Sequence, residues 1–320
     1  MSLPEMVVTN EDFTRIVDTS DEWIKTRTGI STRHLSNGEP LWHLSVDAAQ
    51  KALAATETNA EEIDLIIHTS ITSDYISPSM ACLVQGKIGA VNATGFDINC
   101  ACAGYVYALD MARRYLCTGD FKKVLIISSE MLSKVTNYKD RSTCVLFGDG
   151  AAATVVTAAD SMFASYLKSD GTGAKHIFAR TPAAENPFAD PSHSVPCDDF
   201  AENKAGVLYM NGKEVYKFAT KAMAEAVEEA AKKAGIAVDD LDVIVPHQAN
   251  IRIVETAASR LGQPMEKFFV NVEKYGNTSS ASIPICLCEL DRSGGLKRGD
   301  KVCIVGFGAG LTYGAAVFEW

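Results

Sequence analysis

The chain has 320 residues, 47% of them hydrophobic and 22% charged, with a formal net charge of −10. This is a globular composition with ample core material, and its acidity offers neither nucleic acid nor an anionic membrane a general field to bind. No apolar run approaches the ~20 residues of a membrane span and the N-terminus does not resemble a signal peptide, so a cytoplasmic protein is expected.

Nine cysteines lack the spacing of a disulfide framework, and several, such as Cys82, Cys144 and Cys303, sit inside apolar runs. Buried reduced thiols are the simpler expectation. In chain order, an Ala-rich helical stretch at 46–56 leads into Glu61-Glu62-Ile63-Asp64-Leu65-Ile66-Ile67, whose apolar run has the pattern of a strand buried on both faces. A second helical segment ends at Ile88-Gly89, and a strand follows around Phe96-Asp97-Ile98. A helix then runs from just beyond Cys102 to Leu116, 122–127 reads as a strand, and 147–152 as part of a Gly-rich strand pair.

The order then repeats. A helical stretch at 217–234 precedes Asp239-Asp240-Leu241-Asp242-Val243-Ile244-Val245, which stands 178 positions after the first such run. A helix ending at Leu261-Gly262, a strand around Phe269-Val270-Asn271, a strand at 299–305 and the terminal Phe307-Gly308-Ala309-Gly310 complete the second copy. A chance pentapeptide would not hold register over this length. The pattern predicts a duplicated α/β unit with parallel sheets covered by helices, in halves 1–160 and 161–320. The proline-rich stretch 180–205 has no periodicity and reads as a surface excursion.

Reactive residues fall at the junctions. Cys102 lies where a strand gives way to a helix, so the positive end of the helix dipole favours its thiolate, and Ala101, Ala103 and Gly104 leave room for a substrate. Taken singly it is more readily a small buried hydrophobe, and Cys100 with Cys102 lacks a second ligand pair for a metal. His247 follows a strand in Val245-Pro246-His247-Gln248-Ala249-Asn250, and Asn277 sits in Tyr275-Gly276-Asn277-Thr278-Ser279-Ser280. Alone, each is a structural histidine or a turn residue as readily as a functional one. The repeat places 277–280 where 100–102 stands in the first copy, so both strand ends are expected at one shared interface. Backbone N–H groups of Gly306-Phe307-Gly308-Ala309-Gly310 could serve half of an oxyanion hole.

Together these motifs resemble the condensing enzyme 3-oxoacyl-acyl carrier protein synthase III. The resemblance rests on Cys102-Ala103-Gly104, His247-Gln248-Ala249-Asn250-Ile251-Arg252, Tyr275-Gly276-Asn277-Thr278-Ser279, and Val17-Asp18-Thr19-Ser20-Asp21-Glu22-Trp23-Ile24-Lys25-Thr26-Arg27-Thr28-Gly29-Ile30. It extends over essentially the whole chain. It implies a thiolase-like α/β fold of two pseudo-symmetric halves in five layers, α-β-α-β-α, usually dimeric, and the first condensation of type II fatty acid synthesis. An acyl group passes from acyl-CoA to Cys102, and malonyl-acyl carrier protein is then decarboxylated and attacks it. By the same resemblance His247 and Asn277 are the catalytic partners, and the N–H groups of Cys102 and Gly310 form the oxyanion hole. Thr19, Trp23, Arg27, Arg141, Gly212 and Asn250 bind coenzyme A, and Lys217 and Arg252 dock the acidic carrier protein. Coenzyme A thioester is a substrate, and no metal or redox cofactor is implied.

Three places depart from the family pattern. The strand that normally precedes Leu3-Pro4 is missing, so either the sequence is shortened there or the first half-sheet is incomplete. Cys100 stands where a small residue is expected. Ser77, in Asp74-Tyr75-Ile76-Ser77-Pro78, occupies the loop that closes the partner subunit's acyl pocket, where some members carry Phe, and implies a roomier pocket for longer or branched primers. A thiolase would need a second cysteine in the terminal Gly-rich loop, which is absent. A priming enzyme of polyketide or secondary metabolism shares the triad and is the alternative, while a non-catalytic scaffold would have lost one of the three residues.

Overall fold

The structure, a computed structural model, describes residues 1–183, 187–188 and 198–320. Strands β1 (Val7–Thr9) and β2 (Thr32–His34) pair antiparallel around two helices, α1 (Asn10–Phe13) and α2 (Asp21–Thr28). Ser20 caps α2 by accepting a hydrogen bond from Trp23 N, and Gly29 ends it in the left-handed conformation.

The first main sheet has the order β4-β3-β5-β6. In it β3 (Leu65–Thr69), β4 (Thr94–Ile98) and β5 (Lys123–Met131) run parallel, and β6 (Asp149–Thr157) is antiparallel to β5. β7 (Phe163–Ser169) already belongs to the second sheet, and β8 (Ile177–Ala179) and β9 (Leu208–Met210) form a separate pair. The second sheet is completed by β10 (Val243–Pro246), β11 (Lys301–Gly308) and β12 (Thr312–Glu319), in the order β10-β11-β12-β7. Each sheet carries a parallel pair followed by an antiparallel strand, as a duplicated unit requires.

Helices α3 (Leu41–Ala55) and α4 (Met80–Ile88) cover the outer face of the first sheet. α5 (Gly104–Thr118) packs between the sheets, and α6 (Gly212–Ala234) with α7 (Ile251–Leu261) covers the outer face of the second. After the short α8 (Val272–Tyr275), α9 (Ser282–Arg292) joins α5 in the middle layer. Leu65 and Ile67 of β3, Val106 of α5, Val245 of β10, Ile283 of α9 and Ile304 of β11 therefore share one core. Each such side chain contributes roughly 1.5–3 kcal/mol by leaving water. The result is the five-layer arrangement implied by the family resemblance.

The halves differ at their edges. In place of the strand expected at 269–271, Phe268 makes only an isolated parallel bridge to Ile244. The Gln248 side chain supplies the missing partners: its Oε1 accepts from Asn271 N at 3.0 Å and Val272 N at 3.1 Å, and its Nε2 donates to Phe269 O at 3.2 Å. At the far edge of the first sheet, where β7 stands in the second, Ser2 forms an antiparallel bridge to Ala151 of β6.

Cys144 and Cys303 are buried, but Cys82 is exposed on α4, so not every cysteine in an apolar run is a core residue. Within the stretch 180–205, residues 184–186 and 189–197 lie outside the described residues. No helix among the described residues is long and apolar enough to cross a membrane.

Candidate active site

Cys102, His247 and Asn277 line one cavity of about 270 Å³, although they come from widely separated parts of the chain. Each owes its place to a strand end. Cys102 sits in a single 3-10 turn, Ala101–Ala103, that leads directly into α5. The corresponding turn in the second half, Ser279–Ala281, leads into α9 in the same way. Ala101 and Ser279 both hold a left-handed backbone, with φ of 46° and 50°. Non-glycine residues rarely adopt that conformation, which turns the chain sharply from strand to helix.

The Cys102 thiol donates to Ser279 Oγ at 3.3 Å. Burial pushes it up to about 12, although Ser279 and the residue's own backbone lower it in part. The helix terminus is where the sequence places it, but burial acts on the thiol in the opposite direction to the one expected from that position. Burial likewise pushes Cys100 up.

His247 follows β10 and is buried, with Phe307 edge-on at 5.3 Å. Its Nδ1 lies 2.7 Å from Ser282 Oγ, which also accepts from Gln248 N at 3.3 Å. Ser282 thus engages Nδ1, and Nε2 is the ring nitrogen left for the cavity that His247 lines. Burial lowers the imidazole to about 3, so it stays neutral in ordinary buffers.

Asn277 is tied to the first half by Asn277 N to Leu146 O at 2.8 Å and by Gly148 N to Asn277 O at 3.0 Å. Its Oδ1 accepts from Ser279 N at 2.9 Å, so the amide NH₂ is the end left for the cavity it lines.

Trp23, Arg27, Gly212 and Asn250 line the same cavity. The guanidinium groups of Arg27 and Arg141 both stand over the Trp23 ring, at 4.5 and 5.0 Å from its centroid. Arg141 is fixed by donating to Asp18 O at 2.6 Å. Asn250 caps α7 by accepting from Arg252 N and ties it to α2 by donating to Arg27 O, both at 2.9 Å. Two cations beside an indole form a local positive, aromatic patch on an acidic protein.

Six expected residues stand apart from the cavity wall: Arg141, stacked on Trp23 just outside it, and Thr19, Gly310, Lys217, Arg252 and Ser77. Thr19 is half-buried nearby, and its Oγ1 lacks a hydrogen-bond partner among the described residues. Gly310 does not line the cavity, whereas Gly308 and Ala309 do. Thr312 Oγ1, 3.0 Å from both Cys100 O and Ala309 O, ties that turn to the cysteine's strand. Lys217 and Arg252 are exposed near the N-terminal ends of the packed pair α6 and α7, which Tyr216 bridges by bonding Thr256 at 2.7 Å. Ser77 lies on an exposed loop with Tyr75 and the fully exposed Ile76, away from this chain's own cavity.

The sequence did not single out Ser279, Ser282, Gln248 or Glu130, a buried carboxylate bonded to Ser279. Only Ser279 carried a signal, its alignment with Ala101 in the repeat.

The family model described as 3-oxoacyl-[acyl-carrier-protein (ACP)] synthase III matches residues 96–171, and the C-terminal model of the same name matches 231–320. A beta-ketoacyl-[acyl-carrier-protein] synthase III of Clostridium acetobutylicum is 46% identical, over 99% of this chain and 96% of that protein. The crystal structure of the synthase III from Thermus thermophilus superposes with a TM-score of 0.91 at 42% identity, covering 99% of this chain and 96% of that one. The priming beta-ketosynthase of the R1128 polyketide pathway is more distant, at 35% identity and a TM-score of 0.88, covering 99% and 93%. With both halves matched, in a thiolase-like fold that brings the two strand ends to one cavity, the chain belongs to the 3-oxoacyl-acyl carrier protein synthase III family.

Proposed function

We propose that the chain joins an acyl group from acyl-CoA to the two-carbon unit of malonyl-acyl carrier protein, with Cys102 as the acylated residue, initiating type II fatty acid synthesis. The observation that carries this reading is the convergence of Cys102, His247 and Asn277 on one cavity with Trp23 and Arg27 in its wall. The lower identity to the polyketide priming enzyme favours the fatty acid pathway over the secondary-metabolite one.

In the first half-reaction the Cys102 sulfur attacks the thioester carbonyl, and the coenzyme leaves as a thiol, so one hard step becomes two easier ones. The Cys102 N–H and an N–H of the Gly308–Gly310 turn hold the oxyanion. Since Ala309 rather than Gly310 lines the cavity, we assign the second donor to Ala309. In the second half-reaction the malonyl carboxylate leaves as carbon dioxide and its electron pair forms an enolate. The enolate oxygen is held by His247 Nε2–H and Asn277 Nδ2–H, donors of a kind that contribute ~3 kcal/mol each. The enolate carbon attacks the acyl-cysteine carbonyl, and the Cys102 sulfur departs and is reprotonated. Electrons and atoms balance without a metal or redox cofactor.

Trp23, Arg27 and Arg141 would clasp the nucleotide end of coenzyme A, with Thr19, Gly212 and Asn250 along its route. Lys217 and Arg252 would dock the acidic carrier protein. The exposed loop of Tyr75, Ile76 and Ser77 fits insertion into a second copy, closing that copy's acyl pocket in a cytoplasmic homodimer. Intact-protein mass spectrometry after mixing with acetyl-CoA or isobutyryl-CoA tests the core of this reading. A thioester adduct is expected on the native chain and not on Cys102→Ala; an unmodified native chain refutes it.

A further inference from the structure

Glu130, near the C-terminal end of β5, is fully buried, yet no ion pair with a cation is found for it among the described residues. Its Oε2 accepts from Thr72 Oγ1 at 2.8 Å, Ile71 N at 3.1 Å and Ser70 Oγ at 3.2 Å. Its Oε1 accepts from Ser280 Oγ at 2.9 Å and Ser279 Oγ at 3.0 Å. A carboxylate taken out of water without a cation is costly even when it is well hydrogen-bonded. One of its five donors, Ser279, is the residue to which the Cys102 thiol donates. A continuous line therefore runs from Cys102 Sγ–H through Ser279 Oγ–H to Glu130 Oε1.

The other titratable groups around this line are engaged elsewhere. On β3, His68 addresses Ser129 at 2.7 Å, and on β6 Asp149 accepts from Ser133 and Ser36. Beyond Thr72, Lys134 pairs with Asp74. On the cysteine side stand Cys100, and His247 turned toward Ser282.

We propose that Glu130, acting through the Ser279 hydroxyl, receives the proton that the Cys102 thiol gives up as it attacks the acyl thioester. This rests on the reading of Cys102 as the acylated residue. The S–H bond breaks, Ser279 Oγ takes that proton and passes its own to Oε1, and the sulfur bonds to the acyl carbon. When the bond to the coenzyme sulfur breaks, the proton returns along the same hydroxyl to the departing thiolate, and Glu130 is ionised again. The site keeps one negative charge throughout. Burial raises Glu130, which brings it toward the thiol, and the thiol, raised chiefly by its own burial, is held up further by ionised Glu130, so the two titrations are linked.

The test is alkylation of Cys102 by iodoacetamide between pH 6 and 8, followed by peptide mass spectrometry on the full chain, with the exposed Cys82 as internal reference. Transfer within the site does not depend on bulk pH, so the native Cys102 rate should change less than about threefold across this range. In Glu130→Gln and Ser279→Ala the thiol must ionise to solvent, and the rate should rise about tenfold per pH unit from a value at least tenfold lower at pH 6. Ser279→Gly, which suits the backbone φ of 50°, gives the same readout if either of those variants fails to fold. A native profile as steep as that of Cys82, or a flat profile surviving in the folded Ser279 variants, overturns the proposal. Acylation by acetyl-CoA is measured on the same samples. A steep profile with normal Cys102 acylation sinks the proton path alone, and absence of acylation sinks the reading of Cys102 as nucleophile.

Discussion

A Cβ on Gly308 would stand 2.6 Å from the backbone nitrogen of Cys102 and 3.0 Å from the Cβ of Ala101. Both neighbours are held in the strained turn before α5, so neither can give way cheaply. Space, not an unusual φ, requires glycine here. We expect Gly308→Ala to lower stability by about 1–3 kcal/mol and to slow acylation by at least ~100-fold, because it would shift the Cys102 N–H proposed to hold the oxyanion. Gly212→Ala, where a Cβ meets nothing within 4 Å, is the control and should leave the thermal midpoint unchanged. Acylation by Gly308→Ala at the native rate would show that the turn can relax.

His247 gives a pH dependence whose sign is fixed by burial. Its folded value of about 3 lies below the ordinary value of 6.5, so the unfolded chain binds a proton that the native chain refuses. Its contribution is present above the ordinary value and is lost as pH falls toward the folded one. The linkage slope approaches ~1.4 kcal/mol per pH unit. His68, lowered to about 4, acts in the same direction, while Glu130 and Asp149, raised by burial, act in the opposite one. Comparison of the native chain with His247→Asn cancels these other groups. Denaturant unfolding at pH 7, 6 and 5 should show the native chain losing ~1 kcal/mol more per unit below pH 6 than the variant. Parallel curves would mean that the ring titrates freely.

What was legible in the sequence follows from which signals are periodic. The buried run Leu65-Ile66-Ile67 and its echo Val243-Ile244-Val245 pointed to two parallel sheets, and the paired junctions at 100–102 and 277–280 pointed to one shared interface. The edge at 269–271 was misread as a strand because Phe269 and Val270 have the right side chains, while its partner is the Gln248 amide, which leaves no periodic trace. The Ser282 hydroxyl behind His247 and the Glu130 carboxylate behind Ser279 were hidden for a related reason: they meet their partners only through tertiary packing. The preference for thiolate at Cys102 came from helix position alone, and the sequence could not weigh the opposing burial.

The stack of Arg27 and Arg141 on Trp23 touches no reacting atom, so its loss should be read in binding. Trp23→Ala and Arg141→Ala are expected to raise KM for acetyl-CoA about tenfold with kcat changed less than about twofold, the pattern of lost uniform binding. A short acetyl thioester that lacks the nucleotide supplies the contrast, since its KM should not move. Equal effects on both substrates would place the stack in the architecture of the site rather than in coenzyme recognition.

Lys217 and Arg252 are exposed near the starts of neighbouring helices, where their charge would act on the carrier protein in the proposed reaction. Lys217→Glu and Arg252→Glu should each raise KM for malonyl-acyl carrier protein several-fold. The double variant should largely remove the salt dependence of that KM, since rim charges govern encounter. Acylation by acetyl-CoA, which does not involve the carrier protein, should be unaffected. If acylation falls in parallel, the substitutions have disturbed α6 and α7 instead.

Ser77 decides primer choice only if the loop that carries it enters another copy's cavity. Ile76 beside it is fully exposed in the single chain, an unfavourable position for a large aliphatic side chain that burial against a second copy would relieve by roughly 1.5–3 kcal/mol. A serine there leaves volume that a phenylalanine would fill, so isobutyryl-CoA should turn over faster than acetyl-CoA. Ser77→Phe should reverse that order by lowering isobutyryl turnover at least tenfold while sparing acetyl; one lost methylene contact alone shifts such ratios ~10–200-fold. Turnover of isobutyryl-CoA no faster than acetyl-CoA by the native enzyme would refute the roomy pocket. Ile76→Asp separates the two parts of the argument: a monomer that still prefers isobutyryl-CoA would show that the pocket is closed from within the same chain.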